Sequence, residues 1–203
     1  MEKSDVHTNT ERRASEKAKF ALANEAQAIY MVLFDAQESL KVTEYLLQYD
    51  PDRIHNLLLL NSFWHFTLSV HVDHILLKLS ILFTRSEHYS IAGLLDNLKG
   101  GGKFAHLILD SKIQEWETET ERLNAITEKI RLSRNKRIAH MDREYGRDAH
   151  TDISIKEVRE TISLVQTIVD EIYSVTGHPS FKANKPISSP VDSLRIMLEK
   201  SKS

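Results

Sequence analysis

The placement of proline does most to limit what this chain can fold into. Its four prolines stand at positions 51, 179, 186 and 190, so 52–178 contains none. Proline lacks an amide hydrogen and clashes with the preceding turn, and its absence leaves room for long unbroken helices. Apolar periodicity says where they form. Leu22, Ala26, Ile29, Leu33, Ala36, Leu40 and Leu47 recur in steps of three and four, with Thr43 filling the gap. That stripe predicts a first helix from Ser15, its N-cap, to Gln48. Asp50 and Pro51 supply a cap and a first-turn proline for a second helix, 51–84. Leu57 to Leu60, Phe63, Trp64, Phe66, Leu68, Ile75, Leu76, Leu79 and Phe83 make it apolar over much of its circumference. Such a helix belongs at the centre of a bundle.

A short helix is expected over Ser90–Lys99, stopped by Gly100, Gly101 and Gly102. A third long helix covers Phe104 to Ala139, with a bend near Asp110 and Ser111. Ser154-Ile155-Lys156-Glu157 has the form of a capping box opening the last long helix. Ile155, Val158, Ile162, Val165, Val169 and Ile172 form its stripe, and Gly177 stops it. No segment alternates with period two. The expected fold is therefore all-α, a bundle of four long helices with short accessory helices. The domain spans 15–177, after a flexible N-terminus at 1–14. Residues 178–203 read as a linker and a short amphipathic helix through Leu194, Met197 and Leu198. That helix is expected to dock on the bundle or a second copy, with a different partner as the alternative.

Several classes of chemistry are excluded. There is no cysteine, hence no thiolate zinc site, disulfide or cysteine nucleophile. The first residues lack the apolar core of a secretion signal. The most apolar stretch, Leu57 to Phe83, is interrupted by His65, His71, Asp73, His74 and Lys78. It falls short of the roughly 20 uninterrupted apolar residues of a membrane span, so a cytoplasmic protein without a membrane partner is expected. No glycine-rich phosphate loop, nucleophile elbow or His-Glu-x-x-His pair occurs. His71, Asp73 and His74 are the most metal-like group, since the two histidines share a helix face. Polar or interface residues of the second helix are the preferred reading of them, and neither metal nor cofactor is expected.

Net charge is −2, but it is unevenly spread. Between Lys129 and Arg147, seven basic residues face only Asp142 and Glu144, a local net of +5. Glu115, Glu117, Glu119 and Glu121 stand just upstream. Such a run is either a solvated face of mixed charge or a phosphate-binding patch at one end of a helix. Arg134 is its most informative member. Along the stripe Ile113, Trp116, Leu123, Ile126 and Ile130, it lies within about 20° of Leu123 at 100° per residue. A guanidinium on a buried face is costly unless something anionic meets it. It must either pair with a buried carboxylate or line a cleft that admits a substrate anion.

The segment Arg134-Asn135-Lys136-Arg137-Ile138-Ala139-His140, followed by Asp142, resembles the signature of HEPN domains, in particular their AbiU-type abortive-infection branch. The resemblance covers about residues 15–177. It implies a metal-independent endoribonuclease, a toxin or phage-defence effector of the toxin–antitoxin kind. Arg134 and His140 would be catalytic and Asn135 would assist. Arg131, Lys136, Arg137 and Arg143 would position the RNA. An antitoxin or other neutralising protein is a further expected partner. One protomer supplies only one such histidine. On a straight helix Arg134 and His140 are about 9 Å apart along the axis and about 120° apart in direction. Either the helix ends near Ala139 or a partner copy completes the site, so a homodimer is expected. A non-catalytic RNA-binding or protein-interaction module, or a nucleotide-binding accessory to a transferase, stays open as the alternative.

Overall fold

The computed structural model describes residues 3–48, 62–140, 153–177 and 190–200. Every regular element among them is a helix: α1 (Lys3–Gln48), α2 (Ser62–Phe83), α3 (Ile91–Leu98), α4 (Asp110–Arg122), α5 (Asn124–His140), α6 (Ile155–Thr176) and α7 (Pro190–Lys200).

α1 begins at Lys3, so the helix expected from Ser15 also takes in 3–14. Nothing there breaks a helix, for the segment has neither proline nor glycine. The core face still starts where the stripe does: Leu22, Ala26, Ile29, Leu33, Ala36, Leu40 and Thr43 are buried. Leu47 is 43% exposed, whereas Leu46 is buried. Leu46 lies on a different face of α1, which with Val42 meets Trp64 and Leu68 of α2 and Val191 and Leu194 of α7.

α2 lies antiparallel along α1. Lys78 bonds Asp35 at 2.6 Å and Ser39 bonds His74 at 2.9 Å. Trp64 and Leu68 pack near Val42 and Leu46. By length and composition α2 could cross a membrane, the one such helix among the described residues. In this fold its Ser69, Asp73, His74, Lys78 and Ser80 are bonded to α1 or α5. It is central only in its second half, where Ile75, Leu76, Leu79 and Leu82 are buried. Phe63 and Phe66, expected inside, are 54% and 59% exposed. Leu57 to Leu60, from the expected first turns, lie outside the described residues.

Ser90 caps α3 by accepting the Gly93 amide at 3.1 Å. The chain then turns so tightly that a side-chain carbon on Gly102 would sit 2.4 Å from the Asn97 carbonyl oxygen. Glycine is required at that turn.

The expected third long helix is two helices. Residues 104–109 form turns, α4 starts at Asp110, and the axis breaks at Leu123 (φ −87°, ψ 0°). Leu123 N–H bonds the Thr120 carbonyl three residues back, while its own carbonyl receives the amides of Ile126 and Thr127. Thr118 and Thr120 also donate their hydroxyls to carbonyls four residues earlier, which bends helices. The break leaves Leu123 wholly buried. Trp116 on α4 is anchored by its indole N–H on Glu171 at 3.2 Å, and Arg122 pairs with Glu160, so α4 runs antiparallel to α6. The bundle thus consists of α1, α2, the broken pair α4–α5, and α6.

α6 is built as its sequence indicates. Ser154 accepts the Glu157 amide at 3.2 Å, and the Glu157 carboxylate accepts the Ser154 amide at 2.7 Å. Gly177 closes the helix at φ 71°. Lys129 and the two Ser154 donors hold the Glu157 carboxyl down at about 2. A depressed carboxyl adds stability above its unfolded value, near 4.5, and that stability is lost as pH falls toward 2. Wild type is therefore expected to melt above Glu157→Gln at pH 6, with the difference closing between pH 4.5 and 2. Thermal melts across that range test it, and a gap independent of pH would contradict it.

α7, expected from Val191, starts at Pro190. It lays Val191 and Leu194 against Val42, Leu46, Trp64 and Leu68. It docks on its own bundle at the end where α1 finishes and α2 starts. The side chains of Met197 and Leu198 lie outside the described residues.

Candidate functional site

α5 packs antiparallel on α2, and this contact holds the arginines of the basic run. Ser69, Asp73 and Ser80 fall on one face of α2, within about 40° of each other at 100° per residue. They form a polar row on an otherwise apolar helix. Arg134 and Arg137, three residues apart on α5, reach this row from the other side. Arg137 forms an ion pair with Asp73 and donates to Ser69 Oγ at 2.8 Å. Arg134 donates from Nη1 to Ser80 Oγ at 3.3 Å. Ser80 is 2% exposed, and its own hydrogen goes to the Leu77 carbonyl at 2.8 Å. The hydroxyl is thereby oriented to accept from the guanidinium.

The two arginines are left in different states. The charge of Arg137 is neutralised by a carboxylate. Arg134 has no carboxylate within ion-pairing distance among the described residues, and its buried Nε has no hydrogen-bond partner there. A serine hydroxyl balances none of a guanidinium's charge, so Arg134 remains a partly desolvated cation. Of the two outcomes open for an arginine on the buried face, the carboxylate partner is not found among the described residues. A site for an incoming anion is what this arrangement can provide.

Two other members of the basic run are engaged within the chain. Lys129 bonds Glu157 at 2.8 Å, and Arg131 pairs with Glu128 on its own helix. The Arg131 pair is exposed and holds it only weakly. Asn135 and Lys136 are exposed beside Arg134, and Lys136 has no ion pair among the described residues. Three of the four upstream acids are likewise paired: Glu115 with Lys112, Glu117 with Lys99 and Glu119 with Arg122. Arg143 lies outside the described residues.

α5 stays helical through His140, whose side chain lies outside the described residues. The helix therefore does not end at Ala139, and the backbone positions of Arg134 and His140 keep the separation of a continuous helix, about 9 Å along the axis and about 120° around it.

The metal-like trio is dispersed. Asp73 faces Arg137, His74 bonds Ser39, and no group of three potential ligands occurs among the described residues. His71 has a buried Nδ1 without a partner there, and burial followed by the neighbouring His74 lowers its pKa.

Sequence reading missed Ser69 and Ser80 and did not pair Asp73 with Arg137. The available signal was spacing: polar residues four and seven apart on an apolar helix share one face and need a polar partner there.

A family model described as AbiU2, of HEPN type, matches residues 17–191. Neither a curated protein nor a solved structure gives a match.

Proposed function

The chain belongs to the AbiU2 family of HEPN-type helical proteins, and on that premise we propose that it is a metal-independent endoribonuclease serving abortive infection. The ribose 2′-hydroxyl attacks the adjacent phosphorus, the P–O5′ bond breaks, and a 2′,3′-cyclic phosphate is left. The reaction needs a proton acceptor, a proton donor and stabilisation of the phosphorane charge. His140 moves the protons. Arg134 presents its fork of N–H groups to the phosphate oxygens. Asn135 assists from the exposed side, and Lys136 and Arg131 hold the strand.

The observation that carries this reading is the condition of Arg134. It occupies the arginine position of the motif, it is partly buried, and no carboxylate answers its charge among the described residues. Retaining such a group costs stability, which is explained if a substrate anion completes its environment.

Two copies of the chain form the working unit. Since α5 is helical through His140, one protomer converges its two motif residues poorly, whereas a two-fold axis beside this segment brings two of each into one cleft. An apolar row supports the pairing. Phe63, Phe66, Val70 and Leu77 are 54%, 59%, 43% and 37% exposed along α2, on the face next to its polar row.

Induced expression tests the reading in cells. Wild type is expected to arrest growth and degrade RNA, and His140→Ala at equal protein level is expected to relieve both. Harmless expression of wild type, with RNA or partner binding indifferent to His140→Ala, would replace the enzyme by an interaction module.

A further inference from the structure

We propose that Asp73 withholds Arg137 from RNA, so that the site presents one guanidinium to a substrate phosphate, and that the same ion pair pins the turn of α5 that carries His140. This rests on the ribonucleolytic reading for its catalytic part, though not for its electrostatic part.

The two arginines differ in what α2 offers them. Both reach the row made by Ser69, Asp73 and Ser80, but one meets a carboxylate and the other a hydroxyl. The Arg137 side chain is 17% exposed and Asp73 35%, so the pair is partly desolvated. A phosphate that displaced Asp73 would strand a carboxylate in that environment, at greater cost than breaking an exposed pair. Arg137 is therefore spent. Ser80 places Arg134 and leaves its full charge available.

The held arginine has a second consequence. Arg137 and His140 are three residues apart, hence neighbours on the surface of α5. A bond from Arg137 to α2 fixes the last turn against the bundle at the point where proton transfer must be placed. Asp73 acts through Arg137 and is a positioning residue rather than a catalytic one.

The test is the salt dependence of binding to an uncleavable 2′-O-methyl RNA oligonucleotide, measured with the full chain by fluorescence anisotropy. Each phosphate contact contributes about 0.7 to the slope of log affinity against log salt for a single strand. Asp73→Asn frees Arg137 and is expected to tighten binding several-fold and steepen the slope by about that amount. Arg137→Gln is expected to leave the slope unchanged, and Arg134→Gln to flatten it by one contact. Asp35→Asn, which releases Lys78 on the α1 side of α2, controls for one unit of net charge and should leave the slope alone. A flatter slope in Arg137→Gln, or an unchanged slope in Asp73→Asn, would overturn the proposal. If Asp73→Asn does not fold, the two arginine variants still decide, because their expected slopes differ.

On cleavable RNA, Asp73→Asn is expected to lower kcat while KM also falls, and Asp73→Glu to restore kcat. A merely structural role would lower the melting temperature without that split. Wild type that binds the oligonucleotide but cleaves nothing would refute the ribonuclease while leaving the slopes to judge the masking of Arg137. Wild type that does not bind would overturn both.

Discussion

Arg134→Met is expected to lower RNA cleavage by about 10²- to 10³-fold, the usual effect of losing one group that stabilises transition-state charge, while the melting temperature holds or rises. The second half of this expectation discriminates. Among the described residues the Arg134 guanidinium has one hydrogen bond, to Ser80 at 3.3 Å, and a buried Nε with no partner. Methionine retains much of the packing volume and removes the desolvated charge. The Ser80 hydroxyl keeps its bond to the Leu77 carbonyl, so no donor is stranded. A residue held at a cost to stability for the sake of substrate behaves in this way. If Arg134 instead served the fold, cleavage and melting temperature would fall together. Arg137→Met provides the contrast, because it leaves Asp73 without its cation and is expected to destabilise.

His140→Ala is expected to lower cleavage by about 10²- to 10⁴-fold, the range of general acid–base catalysis. The more informative experiment joins one such protomer to a wild-type protomer. If the two histidines of a dimer act in one cleft, the purified heterodimer falls far below half the wild-type rate. If each chain carries a complete site, half the rate is retained. The continuous helix from Arg134 to His140 favours the first outcome.

Legibility in the sequence followed the scale of the physics. Features decided by neighbours in the chain were read correctly: the Ser154–Glu157 capping box, the Gly177 stop, the stripe of α6, and that of α1 as far as Thr43. Each depends on a few residues whose spacing states the contact. The break at Leu123 was not foreseen, since no proline or glycine marks it; it shows only in the three-residue hydrogen bond from Leu123 to Thr120. Exposure of Phe63 and Phe66 was equally hidden, because composition says that a helix is apolar but not which neighbours cover it.

The site divided along the same line. The position of Arg134 on the inward face was legible from the stripe through Ile126 and Ile130, which share its helix, although the angle to Leu123 crosses the break. The fate of Arg137 did not, because its partner Asp73 stands 64 positions away on another helix. Charge counting treated the basic run as one patch, whereas the fold neutralises Lys129, Arg131 and Arg137 with carboxylates and spares Arg134.

The most direct test of the central claim is cleavage of end-labelled RNA by the purified protein in excess chelator, with wild type beside Arg134→Met and His140→Ala. The account predicts cleavage by wild type, 2′,3′-cyclic phosphate ends, and near-complete loss in both variants. Intact RNA with folded wild-type dimer, or equal cleavage by all three proteins, would contradict it.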